Sequence, residues 1–219
     1  MKIKSVRSLG VLDSRGKPTI MTSVYLEDGS KGTAMVPSGA STGSLEAYEL
    51  NDNEPERYLG SGKLKAVENS NKKIFEGLAG LDASDQKLID ETMIEIDGTE
   101  NKNNLGANTI LAASIATARA SASSANIPLY EYLNITFNKM FSTKVQMSMP
   151  RPMLNIFNGG SHANNTIDIQ EFMILPSKNI PFKKGLRMST EVYMNLKILL
   201  SQKALSTTVG DEGLSLIHI

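Results

Sequence analysis

The dipeptide Asp28-Gly29 stands between two β-patterned runs and constrains this chain most. Both residues tolerate positive φ, so together they are a strong hairpin turn signal. Residues 3–12 and 19–27 read as strands, with Arg15-Gly16-Lys17-Pro18 between them, and Gly32–Val36 reads as a third. The chain is thus expected to open as a three-stranded antiparallel meander.

Helical spacing then takes over. Leu64, Val67, Ile74, Phe75 and Leu78 recur close to i, i+3, i+7 over residues 63–78, with Gly60-Ser61-Gly62 as the helix entry. Asp82-Ala83-Ser84 is read as the cap of a second helix holding Leu88, Ile89, Met93 and Ile96, stopped by Asp97-Gly98. The alanine-rich run from Asn108 to Ser124 predicts a third, with Ile110, Leu111 and Ile115 on its buried face. After Pro128 a short helical turn, 129–133, is expected. Three strands followed by helices make a compact α+β domain over 1–140. Residues 138–145 are polar and weakly patterned, which puts a boundary there. Beyond it, 153–157 and 167–175 read as strands. Residues 184–202 read as a helix with Leu186, Val192, Leu196 and Leu199 as core residues.

Of 219 residues, 40% are hydrophobic, enough for a sizeable core, and Lys+Arg and Asp+Glu both number 23. A net charge of zero gives no electrostatic reason to expect nucleic acid or an anionic membrane as partner. The chain has no cysteine, which removes disulfides, thiolate catalysis and thiolate zinc sites; a reducing cytoplasm is compatible with this. The N-terminus lacks the apolar core of a signal peptide, and no run approaches ~18 apolar residues, so no membrane span is expected.

Two stretches carry candidate chemistry. The first is V-P-S-G-A-S-T-G, Val36 to Gly43, whose small residues let backbone N–H groups and hydroxyls approach a ligand. It lacks the Lys-Ser/Thr of a nucleotide phosphate loop, and a flexible linker is the simpler reading of the segment alone. The second runs from Asn158 to Met173 and contains His162, one of two histidines. In a strand, Ile167, Ile169, Glu171 and Met173 share one side, which places a carboxylate on an apolar face. A lone Glu at a strand end ordinarily faces solvent. Glu212, in V-G-D-E-G, supplies a second acid, and two carboxylates brought together push their pKa values apart, leaving one as a proton donor.

Lined up in order, the segments D-S-R-G-K-P-T (13–19), V-P-S-G-A-S-T-G (36–43), L-K-A-V-E-N (64–69) and I-D-G-T-E-N-K (96–102) resemble those of the enolase family. L-G-A-N-T-I-L (105–111), L-N-I-F-N-G-G-S-H-A (154–163), Q-E-F-M-I-L-P (170–176) and V-G-D-E-G (209–213) continue the resemblance. It implies an α+β N-terminal domain over 1–140, followed over 145–213 by the start of an enolase-type β/α (TIM-like) barrel. It also implies Mg²⁺-dependent, reversible dehydration of 2-phosphoglycerate to phosphoenolpyruvate by a cytoplasmic enzyme of glycolysis. By the same resemblance Glu212 is the general acid on the leaving hydroxyl and Glu171 its hydrogen-bonded partner. His162 and Gln170 are substrate contacts, Gly39 and Ala40 give backbone contacts, and the Ser41 hydroxyl helps bind a second Mg²⁺.

The chain departs from the family at both ends. Leu9 and Met21 stand where the family has an Arg and an acid in its homodimer contact, which weakens the expectation of a dimer. Residues 145–219 fall far short of the roughly 250 that a closed barrel takes. The family's Lys base, its partner His and three metal-binding carboxylates would lie beyond Gly213. Leu214–Ile219 does not continue the family pattern and is expected to be a non-native tail, so His218 belongs to no site. The chain by itself is therefore expected to be inactive. The alternative of another class is a non-catalytic binding or scaffold fragment.

Overall fold

The computed structural model describes residues 1–39, 43–159, 168–205 and 207. Its chain separates into two compact units, Met1–Met147 and Ser148–Ile219.

The first unit opens with strands β1 (Ile3–Leu12), β2 (Pro18–Leu26) and β3 (Lys31–Val36). They form one antiparallel sheet in the order β1-β2-β3, with Val6 opposite Val24 and Val24 opposite Gly32. Gly29 adopts φ 88°, as the turn requires. Helical structure then runs through α1 (Leu64–Asn69), a π-helical stretch Ser70–Ile74 and α2 (Phe75–Leu78). The wider turn is a feature that periodicity did not indicate. It accompanies a double hydrogen bond from the Asn71 amide to the edge strand: Ser8 N–H donates to Asn71 Oδ1 at 2.7 Å, and Asn71 Nδ2 donates to Ser8 O at 3.1 Å.

The next helix, α3 (Gln86–Asp97), is capped by Asp85, whose carboxylate accepts from Leu88 N at 3.3 Å. The expected cap, Asp82, instead accepts from Ser84 N at 3.0 Å and pairs with the N-terminal amine at 3.4 Å. Gly98, in the left-handed region at φ 68°, ends α3. Helix α4 (Ala107–Ser124) lies on the sheet through Ala112, Ala113, Ala116 and Ala120, all fully buried. Leu111, expected on that face, is exposed. Small residues win there because the backbones nearly touch. A Cβ on Gly32 of β3 would lie 2.1 Å from Ala116 O. Ile3, Val6, Val24, Leu26, Ile74, Leu78, Ile89, Met93 and Leu105 complete the core between sheet and helices.

Helix α5 (Leu129–Met140) is much longer than the short turn expected. Phe137 and Phe141, one turn apart, bring their rings to 4.7 Å, a contact that supports the last turns.

The second unit holds strands β4 (Leu154–Asn158) and β5 (Glu171–Ile174), paired antiparallel with an irregularity between Asn155 and Phe157. Helix α6 (Phe182–Gln202) follows. Two expectations are corrected. Strand β5 is four residues long, and its Met173 is exposed, so Glu171 does not sit on a buried apolar face among the described residues. On α6 the buried positions are Gly185, Ser189 and Leu200, whereas Leu186, Val192 and Leu199 are exposed. Close packing at Gly185 explains the choice of face: a Cβ there would come within 3.0 Å of Pro176.

Candidate active site

In the first unit the candidate loop leaves the sheet at Val36, and its stem is held from two sides. Thr19 Oγ1 donates to Val36 O, and Arg15 Nη2 donates to Ser38 O. Arg15 belongs to the β1–β2 turn, which Asp13 organises by accepting from Arg15 N at 2.8 Å and Lys17 N at 2.9 Å. The Lys17 amide, with the Arg15 amide and guanidinium, outweighs burial and lowers the Asp13 pKa, keeping it ionised beside Arg15.

On the other side stands Glu49. Its carboxylate accepts from Ser38 Oγ at 2.7 Å and from the Gly39 amide, and pairs with Lys63 Nζ at 2.7 Å. Lys63 is buried and also donates to Asn51 Oδ1. Burial pushes the Glu49 carboxyl up, but these donors and the lysine charge outweigh it and hold the group below its ordinary value. The backbone on both sides of Glu49 is tied to the start of α4. Ala107 N donates to Tyr48 O at 2.8 Å, while Asn108 accepts from Leu50 N and donates to Leu50 O, both at 3.2 Å. Asn108 thus acts as an amide partner for an irregular segment whose polar groups must otherwise be satisfied by water.

In the second unit Glu171 opens β5 opposite Asn158, half-buried, and Gln170 precedes it with an exposed side chain. The Gln170 carbonyl accepts from Gly159 N at 3.0 Å, which closes the register beyond the strand end. Asn158 is fully buried and accepts from Asn155 Nδ2 at 2.6 Å. Phe157 and Phe172 meet edge-to-face at 5.1 Å, bracing the hairpin that carries Glu171.

Of the sequence-derived candidates, Gly39, Gln170 and Glu171 are placed in this way. Ala40, Ser41, His162 and Glu212 lie outside the described residues, and with them the pairing of Glu171 with Glu212. Among the described residues no three His, Asp or Glu side chains come together. A cleft of about 470 Å³ in the first unit is lined by Met1, Gln86, Tyr132, Ile135 and Met140, and no candidate residue borders it. No helix among the described residues is long and apolar enough to cross a membrane.

Sequence reasoning missed Glu49, Asn51 and Lys63. Glu49 sits in the charge-rich run E-A-Y-E-L-N-D-N-E, and nothing in its spacing separates it from a solvated face. Asp13 and Arg15 were visible as part of D-S-R-G, but only as a motif.

Comparison with known families covers both units. The model described as Enolase, N-terminal domain, matches residues 3–133, and that described as Enolase, C-terminal TIM barrel domain, matches residues 146–216. The three-stranded antiparallel sheet with its helices is therefore the N-terminal domain, and the β4–β5–α6 segment is the start of the barrel. The chain belongs to the enolase family.

Proposed function

We propose that this chain is part of a Mg²⁺-dependent hydro-lyase that interconverts 2-phosphoglycerate and phosphoenolpyruvate. The observation that carries the reading is the match to both enolase domains in family order, with the candidate motifs inside the matched residues. Removing a proton beside a carboxylate creates a dianionic enolate, and bound Mg²⁺ is the species that would offset that charge.

The roles of the chain's own residues rest on the resemblance to the enolase family. Glu212 donates a proton to the departing hydroxyl, and Glu171 is the second carboxylate whose proximity keeps that proton available near neutral pH. Gln170 and His162 contact the substrate, Gly39 and Ala40 offer backbone groups, and Ser41 contributes a hydroxyl toward the second metal ion. The partner is a phosphorylated small molecule, the compartment is the cytoplasm, and the dimer of the family would use the outer face of the sheet. There Leu9 lies opposite Met21 and Met21 opposite Met35, an apolar row in place of the family's charged contact.

The test is an assay of 2-phosphoglycerate dehydration by the protein encoded by the uninterrupted reading frame containing this chain. Turnover should require Mg²⁺ and fall about 10²–10⁴-fold in Glu212→Gln, the range expected for loss of a general acid. Turnover that survives both chelation and that substitution would refute the reading.

A further inference from the structure

The proposed chemistry gives no task to the ion pair of Glu49 and Lys63. The Lys63 side chain is only 2% exposed, and a buried ammonium is costly unless it is paired and hydrogen-bonded. Both conditions are met, by Glu49 and by Asn51 Oδ1. The same Glu49 oxygen that receives Lys63 Nζ at 2.7 Å receives Ser38 Oγ at 2.7 Å. The carboxylate is therefore a bridge from the scaffold to the stem of the candidate loop. The scaffold end is rigid: Asp52 accepts from Leu64 N and Lys65 N, both at 2.9 Å, which fixes the start of α1 directly after Lys63. The opposite side of Ser38 is held through its carbonyl by Arg15.

We propose that Glu49, backed by Lys63, is a positioning residue that fixes Ser38 and Gly39 so that the loop leaves the sheet in one defined direction. The proposal deepens the functional reading and rests on it where it assigns Gly39 to the substrate. A pair that merely stabilised the fold would be replaceable by apolar residues at little cost, because a buried ion pair and a well-packed hydrophobic pair are often equivalent in stability. A positioning pair would not be replaceable, since leucine and methionine offer Ser38 and Gly39 no acceptor.

The experiment compares amide hydrogen exchange in the 219-residue chain and in the Glu49→Leu/Lys63→Met double variant. Exchange at Gly39 should accelerate by about tenfold or more, while Ile89 and Ala113 in the core stay unchanged. Unchanged exchange at Gly39, or equal acceleration at all three sites, would overturn the proposal. Ser38→Ala, which removes the hydroxyl donor and leaves the Glu49–Lys63 pair intact, provides the same comparison should the double variant fail to fold. Failure of the turnover assay counts against the functional reading alone, and the exchange result still decides the positioning role.

Discussion

The two units handle the same kind of sequence pattern in opposite ways. In the first, Ile89, Met93 and Leu105 are fully buried, and the alanine face of α4 sits almost in van der Waals contact with β3. In the second, α6 has an equally amphipathic pattern, yet Val192, Ile198 and Leu199 are 49%, 54% and 55% exposed. The difference teaches that periodicity specifies a face and leaves open what will cover it. A helix becomes a core element only where a second surface removes its apolar stripe from water. The first unit supplies that surface from its own sheet. Among the described residues of the second, α6 packs closely at Gly185 beside Pro152 and Pro176, while much of its apolar stripe stays in water.

The comparison breaks most directly at Leu105. Leu105→Ala is expected to destabilise the first unit by about 2–5 kcal/mol, the range for truncating a large buried aliphatic side chain. Urea unfolding followed by far-UV circular dichroism measures it; a loss well under 1 kcal/mol would mean the core is looser than its burial indicates. Gly32→Ala comes next. The new methyl would meet the α4 backbone at 2.1 and 2.2 Å, atoms that cannot rotate away. Overpacking of this kind costs about 1–3 kcal/mol. If the variant is as stable as the parent, then α4 is not seated on β3 as described.

The legibility of the sequence follows the same division. Strands β1 to β3 were readable within a residue because the Asp28-Gly29 turn signal separates runs rich in β-forming residues. The C-terminus of α3 was readable from Gly98, and α4 from the alanine run. The length of α5 was not, because its last turns depend on a Phe137–Phe141 contact that polar neighbours obscure. The buried side of α6 was misread because close packing falls at Gly185, which meets Pro152 and Pro176, and the buried residues are Gly185, Ser189 and Leu200. At the candidate site, Glu171 and Gln170 were legible as motif residues. Glu49 and Lys63 were not, since an ion pair between segments fourteen residues apart leaves no local signature.

Asp97 sharpens the contrast through pH. It is 1% exposed and accepts from Leu105 N at 2.7 Å and Thr99 N at 3.0 Å. Burial raises its pKa, but these donors prevail and hold it below the ordinary 3.8. A depressed folded-state value means the stabilisation is complete above the unfolded value and is lost as pH falls through the folded one. The first unit should therefore lose stability on acidification below about pH 4. In Asp97→Asn, one oxygen is exchanged for an amide that opposes the same N–H donors. That variant should cost on the order of 1–3 kcal/mol at neutral pH and show a flatter acid limb. An acid limb unchanged by the substitution would remove Asp97 from the account.

The smallest effect is the most informative about the second unit. Val192→Ala on the open face of α6 removes two methyl groups that are about half in water, and surface substitutions usually change stability by no more than ~0.5 kcal/mol. Alanine also has the higher helix propensity, which offsets part of the lost apolar area. The net change should be near zero and independent of protein concentration. A loss near 2 kcal/mol would show that the face is covered in solution. If that loss also grew with dilution, the cover would be a second molecule, because only an intermolecular contact couples stability to concentration. A large but concentration-independent loss would place the cover within the chain itself, and the contrast between the two units would close.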